Sequence, residues 1–319
     1  MNGSFDNNLL QIVCRSNNNY NTTISFINIL LENSYLQSLL LAIFNAIFAV
    51  PTTIANLLVI IAVFTTPELR TPSFYLVTNL ALTDLFMGLV CQTGYSLFAV
   101  SYFNLDVQTL CISYVLFTNI SMMVTIASGL TVTVISIDRY LAISLKLRYR
   151  STVTLPRIRR LLVVLWVMVF ILTSLPLYTS TKWVGIFGSI VFTICLFTII
   201  FCYSKSFRAL KVYCNQTNPQ GSHQGSNEAT PSNAIDVLKY KKLLKTMVLI
   251  LGLVLICYLP LLVIFITFEQ KGDPEPIFSI TMLSIVGLNS TLNPIIYLVR
   301  MRDIRRACIR ITKRLLCKP

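Results

Sequence analysis

The chain has 319 residues, of which 55% are hydrophobic and only 12% are charged. Because a soluble domain carries about 25% charged residues, this composition excludes a soluble globular protein and indicates a chain that lives in a bilayer. The formal net charge of +14 is concentrated in alternate connections between apolar stretches and in the C-terminal tail. That distribution argues against nucleic-acid binding and favours contact with anionic lipid headgroups and an acidic or nucleotide-loaded partner.

Seven apolar stretches follow one another along the chain. They cover residues 37–64, 74–100, 109–137, 161–178, 183–203, 246–268 and 276–299. A helix needs about 20 residues to cross about 30 Å of hydrocarbon, so the sequence predicts an all-α bundle of seven transmembrane helices over residues 37–299. Since basic connections lie in the cytoplasm, we expect a multi-pass protein of the plasma membrane with its N-terminus outside and its C-terminus inside.

Two polar segments lie outside these stretches. Residues 1–36 form a predicted extracellular segment, rich in asparagine and without a cleavable signal peptide, with glycosylation sequons at Asn2 and Asn21. Cys14 and Cys111 both fall on the predicted outer side. They either form a disulfide or stay as two unpaired thiols. Residues 212–236, which are rich in Asn, Gln, Ser, Gly and Pro, predict a flexible inner loop.

Asp84 is the one ionisable acid or base in the middle of any apolar stretch. A lone charge costs several kcal/mol in hydrocarbon. The sequence therefore predicts a polar interior site around Asp84.

Two further patterns lie near the inner ends of helices. The third stretch ends in Asp138-Arg139-Tyr140, which on spacing alone also fits a simple anchor at the membrane interface. The seventh carries amides at Asn289 and Asn293, one helical turn apart, followed by a proline. Pro294 frees the carbonyl of Ser290 and Pro260 frees that of Ile256, and such groups at membrane depth need polar partners.

These residues resemble the rhodopsin-like family of G-protein-coupled receptors, and the resemblance covers all seven stretches. One motif falls in each helix, in the family's order. The motifs are Asn56 in Ala-Asn-Leu-Leu-Val, Asp84 in Leu-Ala-Leu-Thr-Asp, Asp138-Arg139-Tyr140, Trp166, Tyr203, Pro260 and Asn293-Pro294-Ile-Ile-Tyr297.

The resemblance implies two sites. Asp84, Ser128, Asn289 and Asn293 match a pocket in which a sodium ion stabilises the inactive state; a protonated Asp84 hydrogen-bonded to the same groups is the alternative. The second site couples the receptor to a heterotrimeric G protein, with arrestin as a further partner. Its residues, from the activation switch to the cytoplasmic face, are Asp138, Arg139, Tyr140, Tyr203, Tyr258, Pro260, Asn293, Pro294 and Tyr297.

Residues 300–319 form the cytoplasmic tail. Ile304, Ala307, Cys308 and Ile311 share one helical face, with arginines around the rest. This pattern predicts an amphipathic eighth helix on the inner leaflet. Cys308 or Cys317 is a candidate for palmitoylation, with a free thiol as the alternative.

Several positions depart from the family pattern. The connection between Pro176 and Trp183 is short and lacks cysteine, the fifth stretch lacks proline, and Tyr258 stands where most members have tryptophan. These departures resemble the branch that contains melanocortin, adenosine and cannabinoid receptors.

The ligand pocket is predicted to be mostly apolar. Its candidate residues are Ser121, Met122, Thr125, Phe187, Val191, Leu261, Leu262, Phe265 and Leu283. Ser121 stands where amine receptors have an aspartate, so a cationic amine loses its usual anchor, and a lipid-like or peptide ligand fits better. No enzymatic constellation is visible, and no cofactor is expected apart from the allosteric sodium ion. A ligand-independent orphan receptor or scaffold, and a small transporter, are the alternative interpretations.

The topology makes a prediction about glycosylation. Removing both Asn2 and Asn21 should abolish any glycosidase-sensitive shift of the protein on a gel, because only the outer sequons meet the glycosylation machinery. The sequon at Asn215 is the internal control. A shift that depends on Asn215 would overturn the topology.

Overall fold

A computed structural model describes residues 35–97, 107–174, 181–217, 252 and 276–316. Within these ranges every regular element is a helix. The elements are α1 (Tyr35–Thr65), a 3₁₀ turn (Pro67–Leu69), α2 (Pro72–Phe86), a π-helical segment (Met87–Gln92), α3 (Val107–Leu145), a 3₁₀ turn (Lys146–Arg148), α4 (Tyr149–Thr152), α5 (Leu155–Ser174), α6 (Thr181–Thr217), α7 (Pro276–Arg300) and α8 (Arg302–Leu316). Helical backbone continues beyond the π segment to residue 97.

The described helices coincide with six of the seven predicted stretches. The sixth, 246–268, lies outside the described residues apart from Gly252. Several helices extend beyond the apolar stretch that predicted them, because a charge-free interval identifies only the part of a helix that lies in hydrocarbon. The clearest case is α6, which continues to Thr217. The inner loop predicted from residue 212 therefore does not begin before residue 218.

Four of the described helices are long and apolar enough to cross a membrane. Their burial pattern is the reverse of a soluble bundle. In α1, Ile47, Val50 and Ile54 are exposed on the surface, whereas Thr52 and Asn56 are fully buried. Polar groups therefore face the interior and apolar groups face outward, as expected where the surrounding solvent is lipid.

The α3 helix lies at the centre of the described bundle. It packs against α2, α5 and α6, while α1 packs against α2, α7 and α8. The packing of α5 on α2 and α3 is reinforced by a polar link. Trp166 Nε1 on α5 donates to Asn79 Oδ1 on α2 over 2.9 Å, and Asn79 Nδ2 donates to Thr131 Oγ1 on α3 over 2.8 Å.

The predicted amphipathic helix is present as α8. Its apolar face packs on the protein: Ile304, Ala307 and Cys308 are buried and join a cluster with Val59 and Val63 of α1. This contact fixes α8 against the C-terminal part of α1.

The placement of Cys308 bears on its predicted palmitoylation. Its Sγ lies 3.9 Å from the carbonyl oxygen of Leu58, and the side chain is only 2% exposed. Burial raises the pKa of the Cys308 thiol to about 11, which disfavours the thiolate that acylation needs. Palmitoylation of Cys308, or of Cys317, which lies outside the described residues, stays a prediction.

The link between α2 and α5 can be tested by Trp166→Phe. The ring packing is kept, but Asn79 Oδ1 loses its donor, so we expect a loss of about 1 kcal/mol in the free energy of unfolding. The measurement is the thermal unfolding midpoint in detergent. Thr198→Val is the control, because Thr198 Oγ1 donates only to the carbonyl of Ile194 within its own helix. Equal midpoints for the native protein and Trp166→Phe would contradict the assignment.

Candidate functional site

Asp84 is completely buried, on the face of α2 that meets α7. Its Oδ2 accepts a hydrogen bond from Asn293 Nδ2 over 2.8 Å, and the Ser290 side chain lies beside the carboxylate. The predicted pairing of Asp84 with Asn293 across two helices is therefore present.

Three buried oxygen atoms of the predicted pocket have no hydrogen-bond partner. They are Asp84 Oδ1, Ser128 Oγ and Asn289 Oδ1. Unsatisfied carboxylate, hydroxyl and amide oxygens in a protein interior have the chemistry of ligands for a hard cation. The residues present thus fit the ion that the sequence led us to expect.

The carbonyl freed by Pro294 has a partner. Pro294 lies inside α7, which continues to Arg300, and Asn56 Nδ2 on α1 donates to the carbonyl of Ser290 over 3.1 Å. The hydroxyls of Thr52 and Thr291 form a second link between the same helices at 2.6 Å. The expectation that this carbonyl needs a polar partner is confirmed.

Asp138, near the C-terminal end of α3, is buried and receives three donors. Ser73 Oγ donates over 2.9 Å, Tyr149 Oη over 2.5 Å, and Arg139 Nη2 lies 3.1 Å from the same carboxylate. A solvated anchor would not be only 3% exposed. Asp138 is instead the centre of a polar network between α2, α3 and α4.

Tyr149 completes this network and was not predicted. Burial, followed by the hydrogen bond to Asp138, raises the pKa of Tyr149 to about 12, so the phenol stays a donor at physiological pH. A tyrosine in a basic loop gives no periodic signal. Its distance from Asp138 in space depends on the fold of the connection. Only the three-dimensional path through Lys146–Arg148 places it.

The other candidate switch residues are partly described. Tyr203 and Tyr297 are buried, and Ser136 Oγ donates to Tyr203 Oη at 3.4 Å. Tyr140 is half-buried beside Arg139 in sequence. Tyr258 and Pro260 lie outside the described residues.

The comparisons with known proteins decide the family. Residues 55–184 and 180–297 match the sequence profile of the family described as "7 transmembrane receptor (rhodopsin family)". The chain belongs to this family. Its members are receptors rather than enzymes, and the transporter interpretation is not retained.

Relatives of the receptor cover most of its length. It is 27% identical over 318 residues to adenosine receptor A2b of Gallus gallus, covering 86% of this chain and 89% of the relative. It is 25% identical to the histamine H2 receptor of Cavia porcellus, over 80% of this chain and 74% of the relative. It is also 25% identical to sphingosine 1-phosphate receptor 1 of Danio rerio, over 80% and 73% respectively. These relatives do not single out the melanocortin, adenosine or cannabinoid branch, which stays a prediction.

The receptor's candidate ligand pocket is described only in part. Ser121 and Thr125 are buried on α3, and Met122 and Val191 are half-buried. Ser121 Oγ accepts a hydrogen bond from Tyr95 Oη over 2.7 Å, a partner that sequence reasoning missed because the contact joins two different helices. Other predicted positions lie outside the described residues or have undescribed side chains: Phe187, Leu261, Leu262, Phe265 and Leu283.

The modification sites on the outer side are not described. Asn2, Asn21 and Cys14 lie outside the described residues, and Cys111 is described only as helical backbone in α3. Glycosylation and the disulfide stay predictions.

Proposed function

We propose that this receptor binds an extracellular ligand and activates a heterotrimeric G protein through its cytoplasmic face. The observation that carries the proposal is the pairing and the exposure of the Arg139 side chain. Its guanidinium is paired with Asp138, the residue before it, and its side chain is 19% exposed. The charge is thus at the inner surface, available to a partner that offers a better acceptor.

The network around Asp138 supplies the resting restraint. Ser73 and Tyr149 donate two neutral hydrogen bonds that hold the carboxylate in place, and the carboxylate in turn holds Arg139. A bound ligand shifts such an equilibrium only by its differential affinity for the two states. The proposed activation step is therefore release of Arg139 towards the G protein, beside Tyr203 and Tyr297.

A second feature of the inner face supports partner docking. Leu147 is 95% exposed, between Lys146 and Arg148. Lys146 has a positive φ of 46°, which ends the regular path of α3 and turns the chain outward. A protruding leucine with flanking bases suits a partner that has an apolar cleft and acidic surroundings. Arrestin, which would use the same face, is a further proposed partner.

For the ligand we propose a molecule with a largely apolar body, either lipid-like or a peptide. The names of the relatives span adenosine, histamine and sphingosine 1-phosphate, so they do not fix one chemistry. A histamine-like cation is disfavoured here, because the polar groups that the candidate pocket offers on α3 are neutral: Ser121, already bonded to Tyr95, and Thr125. A ligand-independent receptor or scaffold is the outcome if no ligand alters G-protein activation.

Sodium is the proposed allosteric ion of the Asp84 site. Bound there, it would supply a positive charge for the buried carboxylate and for the unsatisfied oxygens of Ser128 and Asn289. Asn293 holds the other carboxylate oxygen from α7. The ion would therefore stabilise the arrangement in which α2, α3 and α7 converge, which we propose is the inactive one.

The domain organisation belongs to the same proposal. Residues 1–36 lie outside the cell, residues 37–299 form the transmembrane domain, and residues 300–319 lie in the cytoplasm. Basic inner connections provide the argument for this orientation.

Arg139→Ala tests the proposed coupling. Loss of a charged contact made at the centre of an interface costs about 2 kcal/mol, so ligand-free nucleotide exchange on a purified G protein should fall roughly thirtyfold. Surface expression should be unchanged, because Arg139 is paired only at the periphery of the bundle. Arg160→Ala, an exposed base on the same side of the membrane, is the control. Undiminished exchange at matched receptor levels would refute the role of Arg139.

Sodium removal tests the ion site. Replacing sodium chloride by the chloride of a large organic cation should lower the thermal unfolding midpoint of the native receptor, since a ligand that binds only the folded state stabilises it. Asp84→Asn should abolish the difference between the two salts, and Ser128→Ala should reduce it. An equal response to sodium in native receptor and Asp84→Asn would exclude this carboxylate as the ion's ligand.

A further inference from the structure

The second transmembrane helix is interrupted by a π-helical segment, Met87–Gln92. A π segment accommodates an extra residue in the turn and rotates the side chains that follow it, and such segments are frequent at functional sites. No proline lies in this helix after Pro72. The distortion therefore originates in packing rather than in a missing backbone donor.

Gln92, the last residue of the π segment, is 1% exposed, and neither atom of its amide has a hydrogen-bond partner. An amide offers two donors and one acceptor. Leaving such a group buried and unpaired is costly in any protein and more so at membrane depth. Among the described side chains with buried unpaired atoms, Gln92 alone has both its donor and its acceptor atom unpaired.

The surroundings of Gln92 place its amide where several helices meet. A Cβ atom built on Gly287 of α7 would lie 3.2 Å from Gln92 Nε2, so the amide rests against bare backbone. Ser96 Oγ donates to the carbonyls of both Gln92 and Ala42 on α1. One residue before Ser96, the Tyr95 hydroxyl bonds Ser121 on α3.

This position is separate from the Asp84 site. Gln92 lies eight residues beyond Asp84 along the helix, about 12 Å towards the opposite end at a rise of about 1.5 Å per residue. The next turn of the same helix carries Tyr95, whose hydroxyl bonds Ser121, a candidate ligand-pocket residue. The unpaired amide is thus on the ligand side of the bundle.

We propose that Gln92 is a specificity-determining residue that binds a neutral group of the ligand with an N–H donor next to an acceptor. A carboxamide and the edge of a nucleobase both have this chemistry, and both can pair with a glutamine amide through two hydrogen bonds. Charged groups are disfavoured because the neutral Gln92 amide offers no opposite charge to a buried ion. This inference rests on one part of the proposed function, namely that the receptor binds an extracellular ligand.

The first test needs no ligand. Gln92→Met keeps the length of the side chain and removes an unpaired amide, so the thermal unfolding midpoint of the purified full-length receptor should stay equal or rise. A residue kept for structure would give the opposite result. Leu89→Met is the matched control, because Leu89 is in the same π segment but 56% exposed. A lower midpoint for Gln92→Met alone would overturn the proposal.

The second test uses two pairs of small probes at millimolar concentration. Phenylacetamide is compared with methyl phenylacetate, and 9-methyladenine with 9-methylpurine, so that only the first member of each pair has an N–H donor. At least one probe with the donor should stabilise the native receptor and the Leu89→Met variant more than the probe without the donor does. In Gln92→Met the apparent affinity for that probe should fall about tenfold or more. A response confined to one pair assigns the group as a carboxamide or as a nucleobase.

Equal stabilisation by both members of both pairs, no stabilisation by any probe, or unchanged discrimination in Gln92→Met would each refute the subsite. Ligand-free nucleotide exchange on the G protein is measured on the same samples. If nucleotide exchange depends on Arg139 but the receptor does not distinguish the probes, only the subsite is refuted. If the receptor distinguishes the probes but causes no nucleotide exchange, the G-protein proposal is refuted and the subsite stands.

Discussion

The structure depends on one constraint: in hydrocarbon no water is available to polar groups, so each must find its partner inside the protein. The contacts that hold the described helices together follow from it. Asp84 meets Asn293 between α2 and α7, Asn56 meets the carbonyl of Ser290 between α1 and α7, and Trp166 meets Asn79 between α5 and α2. Apolar packing gives little preference between neighbours when lipid is equally apolar, so these polar links specify which helices lie side by side.

The same constraint makes buried polar atoms without a hydrogen-bond partner informative. A fold that satisfies both amide atoms of Asn79 has the means to satisfy Gln92 and Asn289, yet atoms of both remain unpaired. The unpaired atoms of the described residues include a group around Asp84 and both amide atoms of Gln92 in the π segment of the second helix. Each place combines burial with hydrogen-bonding capacity that the described protein does not use, and each is therefore where a bound species would gain most.

The features that could be predicted from the sequence are those that follow from a single residue or a single stretch. The isolated charge of Asp84, the freed carbonyl at Pro294 and the apolar stretches all carry their physical consequence in their own chemistry, and the structure places them accordingly. Features that depend on two distant segments were missed. Tyr149 reaches Asp138 only through a turn at Lys146, and the apolar face of α8 was expected on lipid but packs on α1. The π segment was not predicted either, because Met87–Gln92 contains no proline or other residue type that identifies a π turn.

The packing of α8 has a mechanical consequence. Because α8 is packed on α1, and α1 is bonded to α7 at Asn56 and Thr52, these three helices form one connected unit beside the Asp84 site. Sliding α1 along α7 requires breaking buried polar links that have no water to replace them. Large displacements at the inner surface are therefore easier on the opposite side of α3, so this unit acts as the stationary half against which the remaining helices move.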